Sequence, residues 1–187
     1  MWDWRAIFAE SLTYEDFLST YGTEAQRERW AGVDARVELT TAQQSLIGGF
    51  VREMPVLCLA GAWCGDCVNQ GPILRHIAAA GPAVKLGFLD RDAHPDLRDA
   101  LAINGGSRVP VVVFLSEDWQ ACAVYGDRVL AYYRQMAQDR LGPACPTGIV
   151  PPGPELIRAA TAEWVEEFER IQLMLRLTGR LREKHGD

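Results

Sequence analysis

Two hydrophobic rhythms divide the chain, and the change from one to the other falls near residue 55. Before it, apolar residues recur at the spacing of a single helical face. Tyr14, Phe17, Leu18 and Tyr21 share such a face, with Thr13 placed to cap the helix and Asp16 in the capping-box position. Gly22 is expected to break this helix and Gly32 to end the next. A third helix, with a threonine cap in TTAQQSLIGGFVREM, sets Leu46, Ile47, Phe50 and Val51 on one side; Gly48 and Gly49 weaken it and Pro55 is expected to stop it.

After residue 55 short continuous apolar runs alternate with helical stretches. PVLCLAGAW reads as a strand covered on both faces, and CGDCVNQGPILRHIAAAG as a helix closed by Gly81 and Pro82. AVKLGFLDRD predicts a second strand, Pro95 opens a short helix, and PVVVFLS predicts a third strand. WQACAVYG follows through the turn SED and should lie antiparallel to it. This order implies a small mixed sheet flanked by helices, an α/β architecture. RVLAYYRQMAQDRL is helical, and GPACPTGIVPPGP is too rich in Pro and Gly for regular structure. A last helix runs from about Glu155 to Lys184. Its stripe of Ile157, Ala160, Trp164, Phe168, Ile171 and Leu175 is expected to pack on the body of the same domain, with Glu166 and Arg170 paired outside.

The 187 residues, 48% hydrophobic and 24% charged, suit one soluble domain with a well-buried core. That domain divides into a helical extension (1–54), a core (55–141), a Pro/Gly loop (142–153) and a C-terminal helix (154–187). A net charge of −6, with Lys85 and Lys184 as the only lysines and no basic stripe, disfavours a nucleic-acid partner. The opening MWDWRAIFAESL lacks the positive start and apolar stretch of an export signal, so a cytoplasmic location is expected. VLCLAGAW and VPVVVFL are too short to span a membrane, and no membrane partner is expected. Five cysteines, an odd number in a reducing compartment, argue against a disulfide framework and turn attention to the close pair Cys64 and Cys67.

That pair has three readings: a redox couple, half of a metal site, or two thiols that happen to be near each other. A CxxC opening a helix places both sulfurs in its first turn, within the separation that a disulfide tolerates. Cys64 would sit at the helix N-terminus, where unpaired N–H groups and the helix dipole favour a thiolate, which makes it the candidate nucleophile. Cys67, deeper and less ionised, would be the resolving thiol. A structural metal site wants four ligands, usually two close pairs, and only one CxxC is present; no metal is expected. Cys58 and Cys122 read as small buried hydrophobes and Cys145 as an inert thiol in the Pro/Gly loop. His76, His94 and His185 suggest no ligand set, and the acids Asp90 and Asp92 around Arg91 read as turn and helix caps. NGGSRVP is not a phosphate loop, since it lacks the Lys-Ser/Thr ending and precedes a strand.

LAGAWCGDC, Pro72 five positions after Cys67, the strand GFLDRD, Val109-Pro110 opening a strand and Gly126 after the next one together resemble thioredoxin over roughly residues 55–127. The chain is most similar to a bacterial thioredoxin-like group with WCGDC, an LDRD strand end and a Gly-Gly loop before the proline. The resemblance implies a thioredoxin-like sheet, with Trp63 flanking the site, Pro72 kinking the active-site helix, and Pro110 a cis-proline that faces the cysteines and blocks metal ligation. It also implies that Val109 offers its backbone to an extended substrate. The implied activity is thiol-disulfide exchange on protein disulfides, with no bound cofactor and a separate reductant, thioredoxin reductase or a low-molecular-weight thiol.

Gly65-Asp66 replaces the Gly-Pro of thioredoxin, and the Asp66 carboxylate is expected to oppose thiolate formation. Cys58 stands where thioredoxin has a buried acid, so Asp66 is a candidate substitute in proton handling. Arg108, two residues before Pro110, is a candidate to offset Asp66 or to bind an acidic substrate segment, though a surface role is favoured. The rival function is a thioredoxin-fold binding or redox-sensing module whose terminal helices recruit a partner.

Overall fold

Because β1 (Met54–Ala60) is apolar throughout, it can be covered on both faces, and the sheet is built around it. The computed structural model describes residues 2–141 and 153–187. Four helices precede the strand: α1 (Trp4–Ala9), α2 (Tyr14–Tyr21), α3 (Glu24–Asp34) and α4 (Thr41–Gly48). After it come α5 (Gly65–Ala80), β2 (Val84–Asp90), α6 (Pro95–Ala100), β3 (Val111–Leu115), β4 (Ala121–Gly126), α7 (Leu130–Leu141), α8 (Pro154–Leu177) and α9 (Gly179–His185). The four strands lie in the order β2-β1-β3-β4, with β1 parallel to β2 and antiparallel to β3, and β3 antiparallel to β4. This is the expected mixed sheet flanked by helices. Leu12 bridges Phe88 on the outer side of β2 and so occupies part of that edge.

Register decides which helices meet which face. Cys58 lies opposite both Phe88 and Val112, so these three share a side, and alternation adds Val56 and Phe114. On this side Phe88 packs against Phe17 and Trp30, and Phe114 meets Phe168 at 5.1 Å between ring centroids. α5 runs between those two aromatic groups. Gly71 of α5 faces the Trp30 ring, and Gln70, buried, accepts from the Trp164 indole at 3.2 Å. The α8 stripe expected to pack inward does so: Ile157, Ala160, Trp164, Phe168, Ile171 and Leu175 are all buried. Glu163 of α8 accepts from the N–H groups of Leu130 and Ala131, satisfying the free donors at the start of α7.

Several local expectations are corrected. Gly32 lies inside α3, which Thr23 and Gln26 start with a full capping box and which continues to Asp34. The third helix stops at Gly48, not at Pro55; Pro55 is within β1, paired only on the β2 side, where its missing N–H costs no ladder bond to β3. Leu46 and Val51 are exposed, while Ile47 and Phe50 alone of that set are buried. The helix expected over 154–187 is two helices, because Thr178 takes an extended conformation (φ −71, ψ 118) ahead of Gly179. Arg170 pairs with Glu167 at 2.9 Å, not with Glu166. Cys122 is half-buried on β4, the last strand in the sheet order, which is less covered than β3. Cys145 and almost all of the loop over 142–153 lie outside the described residues.

The contact between α3 and α5 is tight enough to reverse a usual rule. Replacing a helical Gly with Ala ordinarily stabilises by about 1 kcal/mol. At Gly71 an added Cβ would stand 2.1 Å from the Trp30 ring, inside a buried contact that cannot open toward solvent. Overpacking of this kind costs about 1–3 kcal/mol, so Gly71→Ala should lower the urea midpoint; an unchanged or raised midpoint would show that the ring yields.

Candidate active site

β1 ends at Ala60 and the chain turns through Gly61, Ala62 and Trp63 into α5, whose N-cap is Cys64. The turn is held from several sides. The Cys64 N–H donates to the Gly61 carbonyl at 3.0 Å, the Gly61 N–H donates to the Cys67 sulfur at 3.5 Å, and the Trp30 indole N–H donates to the Ala62 carbonyl at 2.9 Å. The Cys64 sulfur thereby lies at the start of α5, close to first-turn N–H groups that have no acceptor within the helix, although its side chain makes no capping hydrogen bond. Cys64 is 8% exposed, and its thiol donates to the Val109 carbonyl at 3.4 Å. The Val109-Pro110 peptide bond is cis.

The two sulfurs are electrically unlike. The hydrogen bond from the Cys67 thiol, helped by the Cys67 and Asp66 N–H groups, pulls Cys64 down to about 7 against burial and the Asp66 charge. Cys67, fully buried, is pushed well above the ordinary thiol range, first by burial and then by donating to Cys64. Cys58 is also fully buried and raised, by burial and then by the charge on Cys64. Three thiols therefore share one region, and only the one at the helix end ionises easily.

Asp66 opposes the Cys64 thiolate, in the expected direction, but Arg108 does not offset it. Arg128, in the link between β4 and α7, binds Asp66 through both ends of its guanidinium, Nε to Oδ1 at 2.7 Å and Nη2 to Oδ2 at 2.5 Å. Its Nη1 donates to Asp127 at 3.0 Å. Arg108 donates to the same Asp127 oxygen at 3.1 Å, because the register brings Gly126 opposite Val111 and so puts Asp127 beside the approach to β3. Burial works to raise buried Asp127, yet hydrogen bonds from the Tyr133 hydroxyl and Arg108, with Arg128 close by, hold it below the usual carboxylate range. Trp63 is 44% exposed, and the Arg91 guanidinium lies over its ring at 4.7 Å while donating to the Ser107 carbonyl. Gly65 begins α5 beside these groups.

The remaining candidates stand elsewhere. Asp90 accepts from the N–H groups of Asp92 and Ala93, a turn cap as read from the sequence. His76 meets Asp34 at 3.2 Å, His94 meets Glu10, and His185 meets Glu117. Among the described residues no cluster of three or more His, Cys, Asp or Glu could hold a metal, and no helix is long and apolar enough to cross a membrane. Arg128, Asp127, Tyr133 and Trp30 were not singled out from the sequence. The acid-arginine pair directly after Gly126 is the one signal that pointed to two of them.

A thioredoxin family model matches residues 11–139. Two proteins of Streptomyces coelicolor are similar in sequence. A putative thioredoxin 2 is 34% identical over 55 residues, covering 29% of this chain and 39% of that protein. An actinorhodin polyketide synthase bifunctional cyclase/dehydratase is 30% identical over 125 residues, covering 62% of this chain and 37% of that protein. The chain thus spans less than two fifths of the length of either relative. In structure it is similar to a protein of unknown function from Pseudomonas aeruginosa, with a TM-score of 0.68 at 19% identity, covering 89% of this chain and 98% of that one.

Alkylation measures the sulfur difference directly, because the thiolate is the reacting form. In the reduced protein the iodoacetamide rate at Cys64, followed by peptide mass spectrometry, should rise with a midpoint near pH 7. Cys122, which burial raises, should label only at higher pH. A Cys64 midpoint at or above that of Cys122 would refute the electrostatic account.

Proposed function

Because this chain belongs to the thioredoxin family, we propose that it is a thiol-disulfide oxidoreductase acting on protein disulfides through Cys64 and Cys67. The observation that carries this reading is the placement of Cys64 at the cap of α5, its thiol against the Val109 carbonyl, with Cys67 fully buried in the first turn behind it, so that the two thiols part in acidity. In the reaction the Cys64 thiolate attacks one sulfur of a substrate disulfide. A bond forms between Cys64 and that sulfur, the substrate bond breaks, and the departing thiolate takes a proton from water. Cys67 then gives up its proton and attacks the Cys64 sulfur, closing a Cys64-Cys67 disulfide and releasing the second substrate thiolate. The substrate gains two electrons and the protein loses two. A thiol reductant, either thioredoxin reductase or a low-molecular-weight thiol, returns the pair to the dithiol.

Each neighbour has a part in this scheme. Trp63 and the Val109 backbone flank the sulfur, so a substrate strand laid beside Val109 is presented to Cys64. Gly65 leaves the approach open. Cys58, raised by burial, stays protonated and cannot accept the Cys67 proton at neutral pH. Asp66, in the first turn of α5, is the acid that takes over that task, through water.

The trap experiment separates catalysis from simple binding. Cys67→Ser in a cell extract should retain client proteins through a disulfide to Cys64, released by dithiothreitol and lost in Cys64→Ser. Partners held without a covalent bond, and equally in both variants, would instead identify a binding module.

A further inference from the structure

We propose that Arg128 is a positioning residue that sets how readily Cys64 ionises, by holding the Asp66 carboxylate in a neutral pair; this rests on the dithiol reading above. Asp66 is the second residue of α5, two positions after the thiol at its cap. A carboxylate there suits the helix dipole but disfavours a second negative charge on the neighbouring sulfur. The two-point contact from Arg128 offsets much of that charge where it arises. The pair is sheltered, with side chains 16% and 24% exposed, so salt screens it less than an ordinary surface pair.

The arginine is itself fixed. Its Nη1 is bound to buried Asp127, whose other partners are Tyr133 of α7 and Arg108 ahead of β3. Its guanidinium also lies 5.6 Å from the centre of the Tyr133 ring. On the far side Asp66 acts on buried Tyr132, which also feels Arg36, just past the C-cap of α3. Cys64 faces Cys67 within α5 and Cys58 on β1, both raised and uncharged at neutral pH. Two arginines thus meet two carboxylates, and the cluster adds no net charge next to the thiol. Removal of either partner of the Asp66-Arg128 pair leaves an uncompensated charge of opposite sign.

That opposition gives the test. In the full-length reduced protein, the Cys64 midpoint is measured by ultraviolet thiolate absorbance and by alkylation. Arg128→Gln should raise it by about half to one pH unit, which from a starting value near 7 slows labelling at pH 7 roughly two- to fivefold. Asp66→Asn should lower it, and the double variant should return close to wild type. Arg128→Lys, which keeps the charge, should hold the midpoint close to that of wild type. A pair that merely fastens the β4–α7 link to α5 would instead shift both single variants the same way and the double variant as far as the worse of them. That result, or no shift in any variant, overturns the proposal. If Arg128→Gln alone does not fold, the Asp66→Asn and double variants decide: the proposal requires the second substitution to bring the lowered midpoint back toward wild type, which loss of the carboxylate by itself does not. A wild-type Cys64 that ionises like a free thiol and traps no client removes the dithiol reading and this proposal together. A low wild-type midpoint with no coupling between positions 66 and 128 removes the proposal only.

Discussion

The first turn of any α-helix presents N–H groups with no partner inside the helix, and in α5 those groups face a sulfur. Much of the surrounding structure serves this arrangement. β1 brings the chain to the spot as a fully buried strand, the three-residue turn delivers Cys64 at the cap, and the long α5 carries Cys67 into the interior. One environment therefore gives two thiols different characters. The helix end favours the anion; the fully buried position behind it favours the proton.

A plain four-stranded sheet with one helix would not hold that turn so firmly. The helices before β1 supply Trp30, which fills the space over Gly71 and donates to Ala62. Those after β4 supply Trp164 and Glu163, the first bonded to Gln70 of α5 and the second satisfying the start of α7. Gln70 also donates to the Asp127 carbonyl and accepts from the Val129 N–H, so one buried amide joins α5, α8 and the link before α7. A buried amide with all these partners met is a demanding feature, because loss of any one of them leaves a polar group unsatisfied.

The strands, their order and α5 were legible because their signals are local: continuous apolar runs for β1 and β3, a short turn for the hairpin, and Gly-Pro after α5. The inward stripe of α8 was legible for the same reason. Boundaries were less so. Thr178 breaks the final helix although an amphipathic pattern continues past it, and Pro55 is tolerated inside a strand since only one neighbour reaches that end. Side-chain partners across the fold were hardest to anticipate. Asp66 and Arg128 are separated by 62 positions, and nothing in either local stretch announces that they meet. Arg108, a candidate partner of Asp66 from its place near Pro110 with a surface role favoured, binds Asp127 instead.

The bond from Trp30 to Ala62 also bears on motion. A turn that shares a hydrogen bond with a buried indole gives up that bond when it opens away from α3, and the buried Trp30 N–H is then left without its acceptor. Opening next to the thiols is thereby coupled to the packing of α3, because the same contact is lost in both.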